Sequence, residues 1–453
     1  MSMSSSLHDG GLRGGGLRDG GLRDGGLRDG GLRDGGRISR VSVTPVAFRD
    51  PPLLNVVGVH QPFVLRAIVQ AHTDSGLVGL GETYADQAHL DRLNAVAAAL
   101  PGLDVFDVHG LRRVVVETLG RSTGGAGASF GGMLEVSSAV DTVAAPFEVA
   151  LLDLQGRTLG RPVSDLLGGA VRDRVPYSAY LFYKWAGHPG QDEDSWGEGV
   201  TPEQMVAQAR RMVDEYGFTA IKLKGGVFEP GHEMETVEAL AASFPDHALR
   251  IDPNGAWTVD TSIKVAHRLA GVLEYLEDPT PGIEGMAEVA RHTDLPLATN
   301  MCVIAFEHLK PAVAADAVQV VLSDHHLWGG LRRSALLGGI CETFGMGLSM
   351  HSNSHLGVSL AAMTHLAAAT PNLTYACDTH YPWKTEEVVK PGALEFRDGS
   401  VAVPAGPGLG VELDEDALGA LHEQYVRCGQ RGREDTAYMR TIVPGFTPNT
   451  ARW

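Results

Sequence analysis

Cysteine is scarce in this chain. Cys302, Cys341, Cys377 and Cys428 are the only four among 453 residues, and no two form a CxxC pair. That spacing gives no support to a disulfide scaffold or a thiolate zinc cluster; it reads as reduced thiols in a cytoplasmic protein. Long apolar runs are missing too. No stretch of about 18 apolar residues occurs, so no membrane span is expected, and the N-terminus lacks the apolar core of a secretory signal. Basic charge is in deficit, with 37 Lys and Arg against 55 Asp and Glu and a net charge of −18. A basic face for nucleic acid is therefore not expected. What is present is a 43% apolar composition over a length that suggests two or more domains around ample cores.

Residues 9–36 repeat GGLRD with period five. Five residues are too few for a packing unit, and the glycine content is high, so 1–37 reads as a disordered tail without chemistry. Next come three strand-like runs, ISRVSVTPVAF, VLRAIVQAHT and GLVGLGE, with a hairpin turn at Asp74–Gly76. The loop LLNVVGVHQPF between the first two carries His60. A helical pattern then runs from about Gln87 to Leu119. The glycine-rich RSTGGAGASFGG (121–132) lacks the GKS or GKT ending of a phosphate cradle and reads as a loop. Together, 38–140 forms a mixed sheet-and-helix module. A helix, VAAPFEVALLDLQGRTLG, leads into 141–395, where short strands alternate with helices. The first strand is expected at 175–183 and the last at 373–377, eight in all. The segment 396–453 contains VKPGALEFRDGSVAVPAGPGLGVEL, which looks like a hairpin returning to the N-terminal module.

The alternating region is organised by AIKLKGG, RIDPNGAW, YLEDP, LATN, VVLSDHH and LSMHSNSH. Each is an apolar run ending in polar residues: Lys222 and Lys224, Asp252 with Asn254, Glu277, Asn300, Asp324 and His351. Positions 224, 252, 277, 300, 324 and 351 are 28, 25, 23, 24 and 27 residues apart. One strand, one helix and two short loops need about that many residues. Repetition of the unit predicts an α/β fold, a (β/α)8 TIM-type barrel, whose strand ends converge on one mouth.

That convergence gives the residues a chemistry. Asp252, Glu277 and Asn300 end successive strands and offer only hard oxygen, which favours Mg²⁺ over Zn²⁺. Lys222 and Lys224 alternate on one strand and share a face. Two close ammonium groups beside a cation are expected to lower each other's pKa and release a neutral amine base. Asp324 and His351 end adjacent strands, and a carboxylate beside an imidazole fixes its tautomer. A zinc pair of His351 with His355 lacks the HExxH glutamate. A cation with a lysine on one side and a histidine on the other suits removal of a proton next to a carboxylate, followed by epimerisation or loss of a β-hydroxyl.

The motifs FEVALLDLQGRTLGRPVSDLLGG, FTAIKLKGGV, RIDPNGAW, YLEDP, LPLATNM, SDHHLWGG, MHSNSHLGVSLA, YACDTHYPW and PGLGVEL resemble the enolase superfamily, and within it the glucarate dehydratase group. The likeness covers about 38–450. SDHHLWGG stands where many members have an ADPHFW-like form. The resemblance implies a modified (β/α)8 barrel closed by an N-terminal α+β capping domain, which the C-terminal segment completes. A Lys or His base with Mg²⁺ is the superfamily's known pattern. Carried over motif by motif, Asp252, Glu277 and Asn300 resemble the Mg²⁺ ligands. Lys224 and His351 resemble the two bases, His351 paired with Asp324, and Asn254 resembles a group near the departing oxygen. His60, Tyr180, Phe182, Lys222, Ser352, Asn353, His380 and Arg433 resemble the substrate contacts. The implied activity is that of a hydro-lyase converting D-glucarate, a small diacid, to 5-dehydro-4-deoxy-D-glucarate. The alternatives are a dehydratase or epimerase of another hexarate such as galactarate, or a non-catalytic barrel. A homo-oligomer is the expected assembly.

Overall fold

The computed structural model describes residues 36–120 and 138–453. The GGLRD repeat up to residue 35 and the glycine-rich stretch 121–132 lie outside the described residues.

The N-terminal module opens with β1 (Ile38–Arg49), the two-residue strands β2 (Leu54–Asn55) and β3 (Gly58–Val59), β4 (Phe63–Thr73) and β5 (Val78–Tyr84). The long strands form an antiparallel sheet in the order β1-β4-β5. Sequence reasoning assigns 53–63 to a loop. The structure finds a β2–β3 hairpin there, with Leu54 paired to Val59 and Asn55 to Gly58. Helices α1 (Gln87–Ala99) and α2 (Val108–Leu119) follow, then α3 (Ala139–Leu159) and α4 (Val163–Leu166). Helix α3 lies directly on β5, and glycine makes that approach possible. A Cβ on Gly81 would stand 2.1 Å from the Pro146 carbonyl oxygen, and one on Gly79 would stand 2.2 Å from that of Ala150.

The second layer is the barrel. Strands β7 (Ala179–Phe182), β8 (Ala220–Lys224), β9 (Ala248–Asp252), β10 (Tyr275–Glu277), β11 (Leu297–Thr299), β12 (Val320–Ser323) and β13 (Gly347–Met350) form one parallel sheet in sequence order. The intervening helices are α5 (Pro202–Tyr216), α6 (Pro230–Ser243), α7 (Val259–Arg268), α8 (Gly282–Ala290), α9 (Phe306–Ala314) and α10 (Leu331–Thr343), with α11 (Gly357–Ala368) after β13. Local signals set their ends. In α5, Thr201 and Gln204 form a capping box, Pro202 occupies the first turn and Gly217 ends the helix in the left-handed region. Every residue of α11 is buried, which accounts for an apolar sequence on all its faces.

Three expectations need correction. The predicted first strand, 175–183, divides into β6 (Arg174–Pro176) and β7, and only β7 joins the barrel. The C-terminal hairpin, β14 (Phe396–Arg397) with β15 (Ser400–Ala402), does not return to the N-terminal module. It pairs antiparallel with β6, because the φ of +67° at Gly399 and of +74° at Gly217 let the two backbones pack closely beside the start of β7. The predicted eighth strand, 373–377, is reduced to single bridges, Leu373 to Leu348 and Cys377 to Tyr177. The Cys377 N–H donates to the Pro176 carbonyl at 2.9 Å and the Asp378 N–H to that of Met350 at 2.8 Å. The segment thus stitches β13 to the first strand and closes a modified (β/α)8 barrel. Helix α12 (Glu415–Cys428) packs on β1, with its His422 and Gln424 donating to the Pro45 and Ala47 carbonyls. Helix α13 (Asp435–Ile442) packs on β3. No helix among the described residues is long and apolar enough to cross a membrane.

Candidate active site

The strand ends do converge. A cavity of about 370 Å³ is lined by Lys224, Asn254, Asn300 and His351, with Asn55, His60, Tyr180, Phe182, Asn353, His380 and Arg433 around them. Behind it, bonded to its lining residues Lys224 and Asn300 but not themselves lining it, lie buried carboxylates. Asp252 and Glu277 are fully buried at the ends of β9 and β10, next to Asp278. Carboxylate oxygens of these three residues lie within 4.8 Å of one another. Asp278 orders the next position: its carboxylate accepts from Thr299 Oγ1 at 2.6 Å and from the Asn300 N–H at 2.9 Å. Asn300 Oδ1 is buried and has no hydrogen-bond partner among the described residues. An orphan oxygen on Asn300, whose N–H is bonded to Asp278 of that carboxylate cluster, fits a hard divalent cation, which Asp252, Glu277 and Asn300 could bind.

Lys224 links the cavity to the acidic cluster. Its Nζ donates to Asp252 Oδ2 at 2.6 Å and to Asn254 Oδ1 at 2.9 Å. Asn254 has φ +56°, a region that asparagine tolerates better than most side chains. Lys222 behaves otherwise than expected. It does not line the cavity, and its Nζ lies 2.8 Å from Glu277 Oε1 and 2.7 Å from Asp378 Oδ2. The Tyr180 ring sits 4.7 Å away. Burial alone would lower its pKa, but Asp378 and Glu277 outweigh that and hold it well above the usual lysine range. The predicted mutual lowering therefore fails at Lys222, because the Glu277 and Asp378 carboxylates lie within hydrogen-bond reach of its Nζ.

His351, after β13, lines the same cavity, and its Nδ1 lies 3.2 Å from Asp324 Oδ2. With a carboxylate at Nδ1, that nitrogen carries the hydrogen and Nε2 keeps the lone pair. Burial would raise the Asp324 carboxyl, but His326 and His351 hold it well below the usual range. Arg433, His60 and an aromatic cluster share this lining. His60 Nδ1 pairs with Asp50 Oδ2 at 2.8 Å, and Arg433 Nε donates to Asp435 Oδ2 at 2.7 Å. Burial, joined by Arg433, pushes the His60 imidazole well below its ordinary pKa. Burial also pushes the Asp50 carboxyl up to about 7, against Arg433 and His188. Tyr180 and Phe182 pack ring to ring, each against His380.

Ser352 is buried but is not among the residues around the cavity. Four residues with a place here carry no assignment from sequence. Asn55 lies in the hairpin read as a loop. Asp278 and Asp378 sit inside the quoted motifs YLEDP and CDTHYPW, so the signal was present. His326, in SDHH, shares Asp324 with His351 through a 2.7 Å contact from its Nδ1.

Comparison with known proteins agrees with this geometry. The profile described as mandelate racemase / muconate lactonizing enzyme, N-terminal domain, matches residues 38–168. The profile described as enolase C-terminal domain-like matches 204–417. Over 426 residues the chain is 52% identical to a probable glucarate dehydratase from Streptomyces coelicolor, covering 92% of this chain and 99% of that one. An enolase structure from Mycobacterium smegmatis str. MC2 155, complexed with tartrate, superposes with a TM-score of 0.88 at 67% identity, over 92% of this chain and 98% of that one. An enolase structure from Gibberella zeae PH-1, complexed with magnesium, formate and sulfate, gives 0.91 at 57%, over 93% and 99%. A barrel with acidic strand ends under a capping sheet, matched over both domains, makes this chain an enzyme of the enolase superfamily, in its glucarate dehydratase group.

Proposed function

We propose that the chain is a Mg²⁺-dependent acid-sugar dehydratase acting on a hexarate diacid, with D-glucarate as its substrate and 5-dehydro-4-deoxy-D-glucarate as its product. The observation that carries the reading is that Lys224, His351, Asn300, Arg433 and His60 line one cavity. Asp252, Glu277 and Asn300 would hold the cation, which supplies positive charge where the ionised carboxylate builds up negative charge. Arg433 and His60 suit the distal carboxylate. That a relative 67% identical to this chain is complexed with tartrate, a hydroxylated diacid, supports this substrate class.

His351 Nε2 is set to remove the proton from C5, because Asp324 holds Nδ1–H and stabilises the imidazolium that forms. The same imidazolium then gives its proton to the C4 hydroxyl, which leaves as water with the C4–O electron pair. The resulting enol tautomerises to the ketone. Lys224 reaches the other face, so an epimer can enter by the same route.

The test is His351→Asn with purified protein, Mg²⁺ and a panel of hexarates in deuterated solvent. We expect dehydration to fall at least about 10³-fold, the scale of losing both base and acid, while exchange of the α-proton through Lys224 persists. Unchanged dehydration by this variant would refute the assignment. Turnover of galactarate alone, with D-glucarate inert, would reassign the substrate.

A further inference from the structure

We infer that His326 is a positioning residue for His351, held in one tautomer by Arg66 of the capping sheet so that Asp324 is divided between two imidazoles. The inference rests on the reading of His351 as the proton-transfer group. Arg66 lies on β4 and is 1% exposed, yet it reaches the barrel. Its Nη2 donates to His326 Nε2 at 2.9 Å and to Ser359 Oγ at 3.2 Å. A guanidinium has donors only and stays charged. The His326 Nε2 facing it therefore accepts, and the Ser359 hydroxyl, 2.9 Å from the same nitrogen, can donate there too. The hydrogen is left on Nδ1, where Asp324 Oδ1 takes it at 2.7 Å. The His326 backbone N–H adds a contact of 3.0 Å to the same oxygen. Oδ2 is left for His351.

Arg66 is itself fixed. Its Nε donates to Glu82 Oε1 at 2.9 Å, and the Glu82 carboxylate accepts the Leu356 and Ser359 N–H groups at the start of α11, both at 2.8 Å. A chain of buried polar contacts thus runs from the capping sheet to the base. Its effect is on charge. Each N–H that Asp324 accepts takes up part of its negative charge, so the His326 contact limits how strongly Asp324 favours a protonated His351. The other titratable groups around His351 are Lys224, His380, His60 and Arg433, which line the same cavity, and His355, which with His351 faces His380. None of them is altered in the comparison below.

The test uses the full chain labelled with ¹⁵N-histidine, as wild type, His326→Asn and His326→Leu. Asparagine keeps an N–H for Asp324; leucine does not. In wild type the His326 ring is expected to show hydrogen on Nδ1 and none on Nε2. The His351 titration midpoint should rise by about one pH unit in His326→Leu. It should stay close to wild type in His326→Asn. The acidic limb of the kcat/KM profile should move with it, while KM holds, because His326 does not line the cavity. Hydrogen on Nε2 of His326, or an unmoved His351 midpoint in His326→Leu, overturns the inference. Inert wild type on every hexarate would sink the proposed function, and the resonance midpoints would still decide this one.

Discussion

Glu82→Gln removes the charge that anchors the path from the capping sheet. Glu82 and Arg66 are both almost fully buried. Burial would raise the Glu82 carboxyl, but Arg66, His355 and the Leu356 and Ser359 N–H groups outweigh it and hold it at about 2, against an ordinary 4.5. A pKa displaced by that much corresponds to about 3 kcal/mol. Breaking a buried ion pair by neutralising one partner costs about 3–5 kcal/mol, so the two routes agree. The folded pKa lies below the unfolded one, so this stabilisation is present above pH 4.5 and is lost as pH falls toward about 2. Urea unfolding at neutral pH should show a loss of about 3–5 kcal/mol for Glu82→Gln. A pH series should show wild type losing more stability on acidification than the variant does. A loss below about 1 kcal/mol, the range of an exposed pair, together with the same acid slope as wild type, would refute the reasoning.

Two further outcomes follow from the site's supports. Asp278→Ala removes the acceptor for Thr299 and the Asn300 N–H. Affinity for Mg²⁺ or Mn²⁺, measured by calorimetry, should drop about 10–100-fold; unchanged affinity would mean that Asn300 is not a ligand. Gly226→Ala places a Cβ 2.2 Å from the Pro253 carbonyl oxygen at a φ of +75°. It should cost more than about 1 kcal/mol and reduce turnover, since this turn follows Lys224; thermal unfolding beside steady-state rates would show it.

Much of the barrel was legible because its unit is local. Each strand ends where an apolar run meets a polar side chain, and α5 and α7 start at the side-chain caps Thr201 and Thr258. The register of Lys224, Asp252, Glu277, Asn300 and His351 needs only that spacing. The features that escaped are those in which one partner carries no local mark. Arg66 is one polar residue within the strand-like run VLRAIVQAHT, and nothing near it announces His326, 260 residues away. Glu82 likewise caps a helix 274 residues downstream. Lys222 looked like a neighbour to Lys224 because strand periodicity shows side-chain facing, while Asp378 arrives from a segment too irregular to be placed by pattern. The eighth strand failed for a related reason: closing bonds alternate between two neighbours instead of following one ladder.

The route from Glu82 through Arg66 and His326 has an evolutionary corollary. A capping sheet taken from one relative and grafted on the barrel of another would arrive without its counterpart at positions 326 and 359. Such chimeras should pack yet turn over poorly until residues 66, 82, 326 and 359 travel together. Substrate range in this lineage is then free to drift in the loops at the mouth, whereas the two halves beneath must diverge in step.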